Sequence, residues 1–164
     1  MIYRKGNLSD LKKIRLLGIK SWSEYKNALT PKNWLSLSKI IHDENTYYKL
    51  LNKAECVVCE NSEKEIIGMA FLVPKGNPDH IYKENWCHLR FVSVHPDYTG
   101  KKIGQTLTKK CIQIAKKNKE LTMALHTSEI MKSAQHIYTK IGFQVLKEIE
   151  SSLGVRYWLY TLDL

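Results

Sequence analysis

Arginine is scarce in this chain of 164 residues: four, against 22 lysines. Arginine is the side chain that reads phosphates and base edges with a planar two-point fork. The lysines that carry the net charge of +10 are spread over the whole length, the pattern of a solvated surface rather than of a nucleic-acid reader. Long apolar runs are missing too. The longest, Ile66 to Val73, falls far short of the ~20 residues that cross a bilayer. Met1-Ile2-Tyr3-Arg4-Lys5 has no apolar signal-peptide core, so the expectation is a soluble, cytoplasmic protein with no membrane partner. Only four cysteines are present, too few for a disulfide scaffold. Cys56 and Cys59 form a C-x-x-C, but Glu55-Cys56-Val57-Val58-Cys59 reads as a strand. Positions three apart on a strand face opposite sides. With no second Cys or His pair, no metal site is expected, and the thiols read as buried and reduced.

What is present is ordinary globular composition, with 43% apolar and 26% charged residues. That excludes wholesale disorder and a collagen-like repeat. The length suits one domain over 1–164 with a real core.

The chain divides by periodicity. Ile2 to Arg4 reads as a short strand. Ser9 is positioned to N-cap a helix whose stripe is Leu11, Ile14, Leu17, Gly18, Trp22 and Tyr25. Thr30-Pro31 opens a second helix with Trp34, Leu37 and Ile40-Ile41 on it, ended at Asp43-Glu44-Asn45. Extended runs follow: Glu55 to Glu60, Ile66 to Val73, and Trp86 to His95. The loop from Pro74 to Asn85 joins the last two. Then come a helix from about Lys101 to Lys117, a strand from Leu121 to His126, and a helix from Lys132 to Ile141 closed by Gly142. Strands Phe143 to Ile149 and Val155 to Leu162 end the chain. Antiparallel strands followed by strand–helix–strand–helix–strand describe a mixed α/β sheet of about seven strands and about four helices.

The most informative stretch is Val92-Ser93-Val94-His95-Pro96-Asp97-Tyr98-Thr99-Gly100-Lys101-Lys102-Ile103-Gly104-Gln105-Thr106-Leu107. A strand ends, a turn follows, and a glycine-bearing segment opens an amphipathic helix. Such a start presents unpaired N–H groups and a partial positive charge, which suit a pyrophosphate. Neither a P-loop nor a dinucleotide fingerprint fits the spacing. The stretch resembles the acetyl-CoA motif of the GNAT N-acetyltransferase superfamily, Val-x-Pro-x-x-(Arg/Gln)-Gly-x-Gly-x-(Gly/Ala), with a leucine three residues on. Val94, Pro96, Gly100, Gly104 and Leu107 match. Thr99 stands in the Arg/Gln position and Lys102 in that of the middle glycine. Downstream, Ala134-Gln135-His136-Ile137-Tyr138-Thr139-Lys140-Ile141-Gly142-Phe143 is similar to the family's Ala-x-x-(Leu/Ile)-Tyr-x-x-x-Gly-Phe. Met131 replaces the asparagine often found seven residues before that tyrosine.

The resemblance implies a GNAT-like sheet and transfer of an acetyl group from acetyl-CoA to a primary amine by direct attack. The acceptor class is a small-molecule or peptide amine, and dimers are common among relatives. The cofactor would lie against Val92, Ser93, Val94, Thr99, Gly100, Lys101, Lys102, Ile103, Gly104, Gln105 and Thr127. A backbone N–H within Val92 to Val94 would polarise the carbonyl. Tyr138 would protonate the departing thiolate; its spacing alone, on a helix face with Ala134, Ile137 and Ile141, favours a core tyrosine. His126 is the candidate base, with an ordinary pKa of about 6.5; His88 and Glu129 are its rivals, and an amine that arrives neutral needs no dedicated base. Trp22, Tyr25, Trp34, Tyr47 and Tyr48 either wall the acceptor pocket or simply pack. The alternative function is a non-catalytic acyl-CoA-binding or basic nucleic-acid-binding module on the same fold.

Overall fold

The computed structural model describes all residues from Met1 to Leu164. In chain order they are β1 (Ile2–Lys5), α1 (Leu11–Trp22), α2 (Pro31–His42), α3 (Glu44–Lys53), β2 (Glu55–Glu60), β3 (Ile66–Val73) and β4 (Cys87–Val94). Then come α4 (Ile103–Lys117), β5 (Thr122–Ser128), α5 (Lys132–Ile141), β6 (Gln144–Ser152) and β7 (Val155–Asp163). The seven strands form one sheet in the order β1-β2-β3-β4-β5-β7-β6. Every neighbouring pair is antiparallel except β4 and β5, which run parallel. No helix is long and apolar enough to cross a membrane.

Five helices form where about four were expected. The extra one arises at Asp43-Glu44-Asn45. Its carboxylate accepts the Asn45 N–H at 3.0 Å, so Asp43 ends α2 and caps α3 at once. The first cap also differs from expectation. Asn7, not Ser9, accepts the amide two residues on, and Asp10 reaches back to the Asn7 N–H at 3.0 Å, a reciprocal capping box on the 3-10 turn Leu8–Asp10 that runs directly into α1. Thr30 caps α2 as the sequence suggests, with Pro31 in its first turn. The stripe of α1 stops at Trp22, and Tyr25 lies on a 3-10 continuation, Ser23–Ala28.

The sheet has helices on both faces. Ile103, Leu107, Cys111 and Ala115 of α4 pack on Val57, Cys59, Ala70 and Leu72. Ile14 and Leu17 of α1 with Tyr47 and Leu50 of α3 pack on Cys56, Val58, Met69 and Phe71 of the other face. Cys56 and Cys59 therefore lie in different layers, as a period of two requires. All eight residues of β3 are buried, because this strand is covered on both sides. Gly68 lets α4 seat closely, since a β-carbon there would come 2.6 Å from the Ile103 methyl.

That seating decides the start of α4. No side chain caps it; the N-cap is Lys102 in a left-handed conformation, φ +60°. A missing cap costs about 1 kcal/mol. Full burial of Ile103 and Leu107 contributes about 1.5–3 kcal/mol each, so packing holds the helix end in place without a cap. A lysine in the left-handed region carries strain of about 1–2 kcal/mol that glycine escapes. Lys102→Gly should therefore raise the thermal midpoint by about 2–4 °C, the equivalent of ~1 kcal/mol at this chain length. A fall in the midpoint, measured by calorimetry, would contradict the strain.

Candidate active site

The parallel pair is short. β4 and β5 pair only at Cys87 with Met123 and His88 with Ala124. Beyond these residues β4 follows β3 to Val94, β5 follows β7 to Ser128, and a gap opens between them. It opens at the carboxyl ends of the two parallel strands, where ligands bind in open α/β sheets. A β-bulge helps to open it. The register with β3 jumps from Met69–Ser93 to Phe71–Arg90, one extra residue on β4, and Phe91 takes φ +49°. Bulges bend the strand and interrupt ladder hydrogen bonding.

A cavity of about 870 Å³ occupies the gap. Val92, His126, Thr127 and Tyr138 line it together, so four of the residues singled out in the sequence converge. Tyr138 belongs both to the main core and to the cavity wall. Its ring lies edge-on to Phe143 at 5.8 Å. Burial pushes the phenol well above its ordinary pKa of 10, so it keeps its proton at neutral pH. The hydroxyl has no hydrogen-bond partner in the protein, yet it is not among the sealed orphan polar atoms; it is accessible from the cavity.

His126 sits across the gap, its Nδ1 2.5 Å from the Tyr82 hydroxyl. Burial, reinforced by the nearby Arg90 charge, lowers its pKa to about 4. It is thus neutral at pH 7 and a weaker base than a free histidine. Its rivals are elsewhere. His88 is buried under Tyr82, stacked at 3.9 Å, and the Glu129 carboxylate accepts the Arg156 N–H at 3.0 Å; neither lines the cavity.

Of the five aromatics weighed for the acceptor wall, Trp22 and Tyr25 line the cavity. Tyr47 is core, its hydroxyl donating to the Ile41 carbonyl at 2.9 Å. Trp34 lies outside the cavity, and Tyr48 is exposed. Phe91, Tyr157 and Arg90 complete the wall. The sequence gives no local sign of them, since β7 and the bulge reach the gap only through sheet order. Ser93 is buried and accepts the Trp22 indole N–H at 3.2 Å, which ties α1 to the bulged strand.

The turn after β4 lies outside the cavity lining. His95 Nδ1 accepts the Asp97 N–H at 3.2 Å and caps the single turn Pro96–Tyr98. The Thr99 N–H donates to Pro96 at 3.1 Å, and Gly100 at φ +82° turns the chain toward α4. The first helical hydrogen bond runs from Thr106 N–H to Lys102 C=O at 3.0 Å. The amides of Lys102, Ile103, Gly104 and Gln105 meet no acceptor in the protein. Lys101 Nζ rests over the Tyr98 ring, 4.6 Å from its centre. A β-carbon on Gly104 would meet only Ile137 and Val94 side chains at 3.6 Å, an ordinary contact, so packing does not demand glycine there. Val94 and Ile137 do not line the cavity, but each lies within two residues of one that does, Val92 and Tyr138.

Comparison with known proteins agrees with this architecture. The acetyltransferase (GNAT) family matches residues 19–143, and the chain belongs to that family. GNAT acetyltransferases use acetyl-CoA, as the resemblance of the motif implied. A PaiA N-acetyltransferase from Thermoplasma acidophilum, solved in complex with coenzyme A, superposes with a TM-score of 0.80 at 19% identity, covering 99% of this chain and 98% of that one. A ribosomal-protein-alanine N-acetyltransferase from Brucella melitensis gives 0.75 at 17% identity, with both chains covered completely at 100%. A GNAT-family acetyltransferase from Staphylococcus aureus Mu50 gives 0.69 at 22% identity over 99% and 98% of the two chains. No functionally curated protein matches the sequence closely.

Proposed function

We propose that this protein transfers the acetyl group of acetyl-CoA to a primary amine by direct attack, with Tyr138 as the general acid. The observation that carries this reading is the continuity between two features. An unpartnered helix start at Lys102 to Gln105 neighbours Val94 and Ile137, each within two residues of the wall of a gap lined by a proton-bearing tyrosine. The non-catalytic alternative has no such use for an accessible, unbonded hydroxyl.

When bound, acetyl-CoA supplies an acetyl group already activated as a thioester. The amides of Ile103, Gly104 and Gln105 offer donors for its pyrophosphate, with the helix dipole behind them. Ile103 acts through its backbone, because its side chain is fully buried. Gly100 supplies the turn; Lys101, Lys102 and Thr99 flank it, and Lys102 brings charge where the family motif has glycine. Val92 and Val94 on β4 and Thr127 on β5 flank the pantetheine path. Just past the bulge residue Phe91, a backbone N–H within Val92 to Val94 polarises the acetyl carbonyl. Tyr138 Oη holds a proton for the leaving sulfur. His126 accepts the proton released by the amine; for this Nδ1 carries the hydrogen toward Tyr82 Oη and Nε2 stays free.

The test is direct. Acetyl-CoA at a hundred times its Kd should stabilise the protein by about 2.7 kcal/mol. An amine panel should release free CoA thiol only when an acceptor is present. Absence of any acetyl-CoA binding by calorimetry would overturn the reading.

A further inference from the structure

The cavity wall carries one half-buried charged side chain, and the chemistry above does not use it. Arg90 lies on β4 immediately before the bulge residue Phe91 and lines the gap. The other arginines are all engaged. Arg4 bonds Asp10 at 2.8 Å and Glu60 at 2.6 Å, Arg15 donates to the His42 carbonyl at 2.7 Å, and Arg156 pairs with Glu148 at 2.8 Å. Arg90 alone has no carboxylate or carbonyl within hydrogen-bond distance; its guanidinium lies 6.0 Å from the centre of the Phe91 ring. It is also the one charged group of the lining that is half-buried; Asp79, Lys147, Glu148 and Glu150 are exposed. The acids of the lining do not answer it. Asp79 Oδ1 accepts the Ile81 and Tyr82 amides at 2.7 and 2.8 Å, and Glu148 is held by Arg156.

Its place is equally specific. Alternation puts Arg90 on the face of His88, and the pairing of His88 with Ala124 brings His126 to the same face. Val92 is two residues further along β4, across the bulge. The α4 start is more distant, beyond Val94 and the Pro96–Tyr98 turn, so Arg90 serves the acceptor end of the gap and not the phosphates. The same cavity is lined by Trp22, Tyr25, Phe91 and Tyr157, an aromatic wall. A half-buried guanidinium without a protein acceptor matches a planar carboxylate, which accepts two of its N–H groups at once.

We propose that Arg90 anchors a carboxylate on the acceptor, so that the acceptor class is a small amine bearing both a carboxylate and an apolar or aromatic body. This rests on the acetyl-transfer reading for its chemistry, but the recognition can be measured without the cofactor. The first arm is calorimetric binding of phenylalanine, phenylalaninamide and phenethylamine to the protein alone. Phenylalanine should bind at least about thirtyfold more tightly than either match, the order expected of a charge-assisted pair. The second arm is acetyl-CoA-dependent thiol release, where the same preference should appear in kcat/KM, mainly through KM. Arg90→Gln should bring the carboxylate-to-match ratio to about one, and Arg90→Lys should keep part of it. Acetyl-CoA binding by each variant checks that it is folded. Equal binding of the matched ligands would overturn the proposal, as would a ratio unchanged in Arg90→Gln or a preference for phosphoethanolamine over the carboxylates. Failure of acetyl-CoA to bind would strike the acetyl-transfer reading instead, and the first arm would still decide the role of Arg90.

Discussion

Tyr138→Phe is expected to lower kcat about a hundredfold while acetyl-CoA affinity and folding stability stay near those of the parent. The substitution removes one oxygen and keeps the ring, so packing against Phe143 and the rest of the core is conserved in shape. The oxygen has no partner in the protein, so its loss strands no buried donor or acceptor. The hydroxyl matters only where it can give its proton, and burial keeps that proton in place up to well above neutral pH. The loss belongs in kcat because the interaction forms as the sulfur gains charge. General-acid effects run from about a hundredfold to ten-thousandfold, and a thiolate leaves fairly well unaided, which selects the low end. The measurement is kcat, acetyl-CoA affinity and Tm on parent and variant. A Tyr138→Phe enzyme with near-normal kcat would return Tyr138 to the core and leave the gap without an acid.

Gly104→Val should weaken acetyl-CoA binding by more than about a hundredfold without unfolding the protein. Glycine is not required here by the protein's own packing, since a β-carbon finds ordinary contacts at 3.6 Å. Nor does backbone conformation require it, because Gly104 lies inside α4 and not at positive φ. Alanine in a helix is favoured over glycine by about 1 kcal/mol. Gly104→Ala should therefore hold or raise Tm while costing some affinity, and valine should extend the loss by placing two γ-carbons over the amides of the first turn. The same position thus separates what the fold needs from what the ligand needs. Full acetyl-CoA affinity in a folded Gly104→Val variant would remove the helix start from the cofactor site.

Much of the local structure was legible. β2, β3 and α5 end where alternation, helical spacing and Gly142 indicate, because each depends on neighbours in sequence. Gly142 takes φ +116°, a conformation that its lack of a β-carbon permits. Misreadings arose where one residue type serves two purposes. Asp43 was read as a helix break and is the cap of the next helix; caps and breaks draw on the same short polar side chains. Ser9 lost the cap to Asn7, two residues earlier, because Asp10 completes a reciprocal pair with Asn7 alone.

The site divides along the same line. Sequence by itself put Gly100 and Gly104 at a strand-to-helix turn and Tyr138 on a helical stripe; the role of that tyrosine came from the family resemblance, not from its spacing. Sequence also determined that Cys56 and Cys59 face apart. Tertiary structure alone decided that β4 and β5 part after His88, that the bulge at Phe91 widens the opening, and that Tyr82 meets His126. It likewise decided that burial lowers the proton affinity of His126, and that Arg90, unlike the other arginines, meets neither a carboxylate nor a carbonyl. Each of these is a relation between segments tens of residues apart. A strand's own alternation says which residues share a face, but not which strand lies beside it or where the two diverge. That is set by how α1, α3 and α4 pack on the sheet, and hence by the core as a whole.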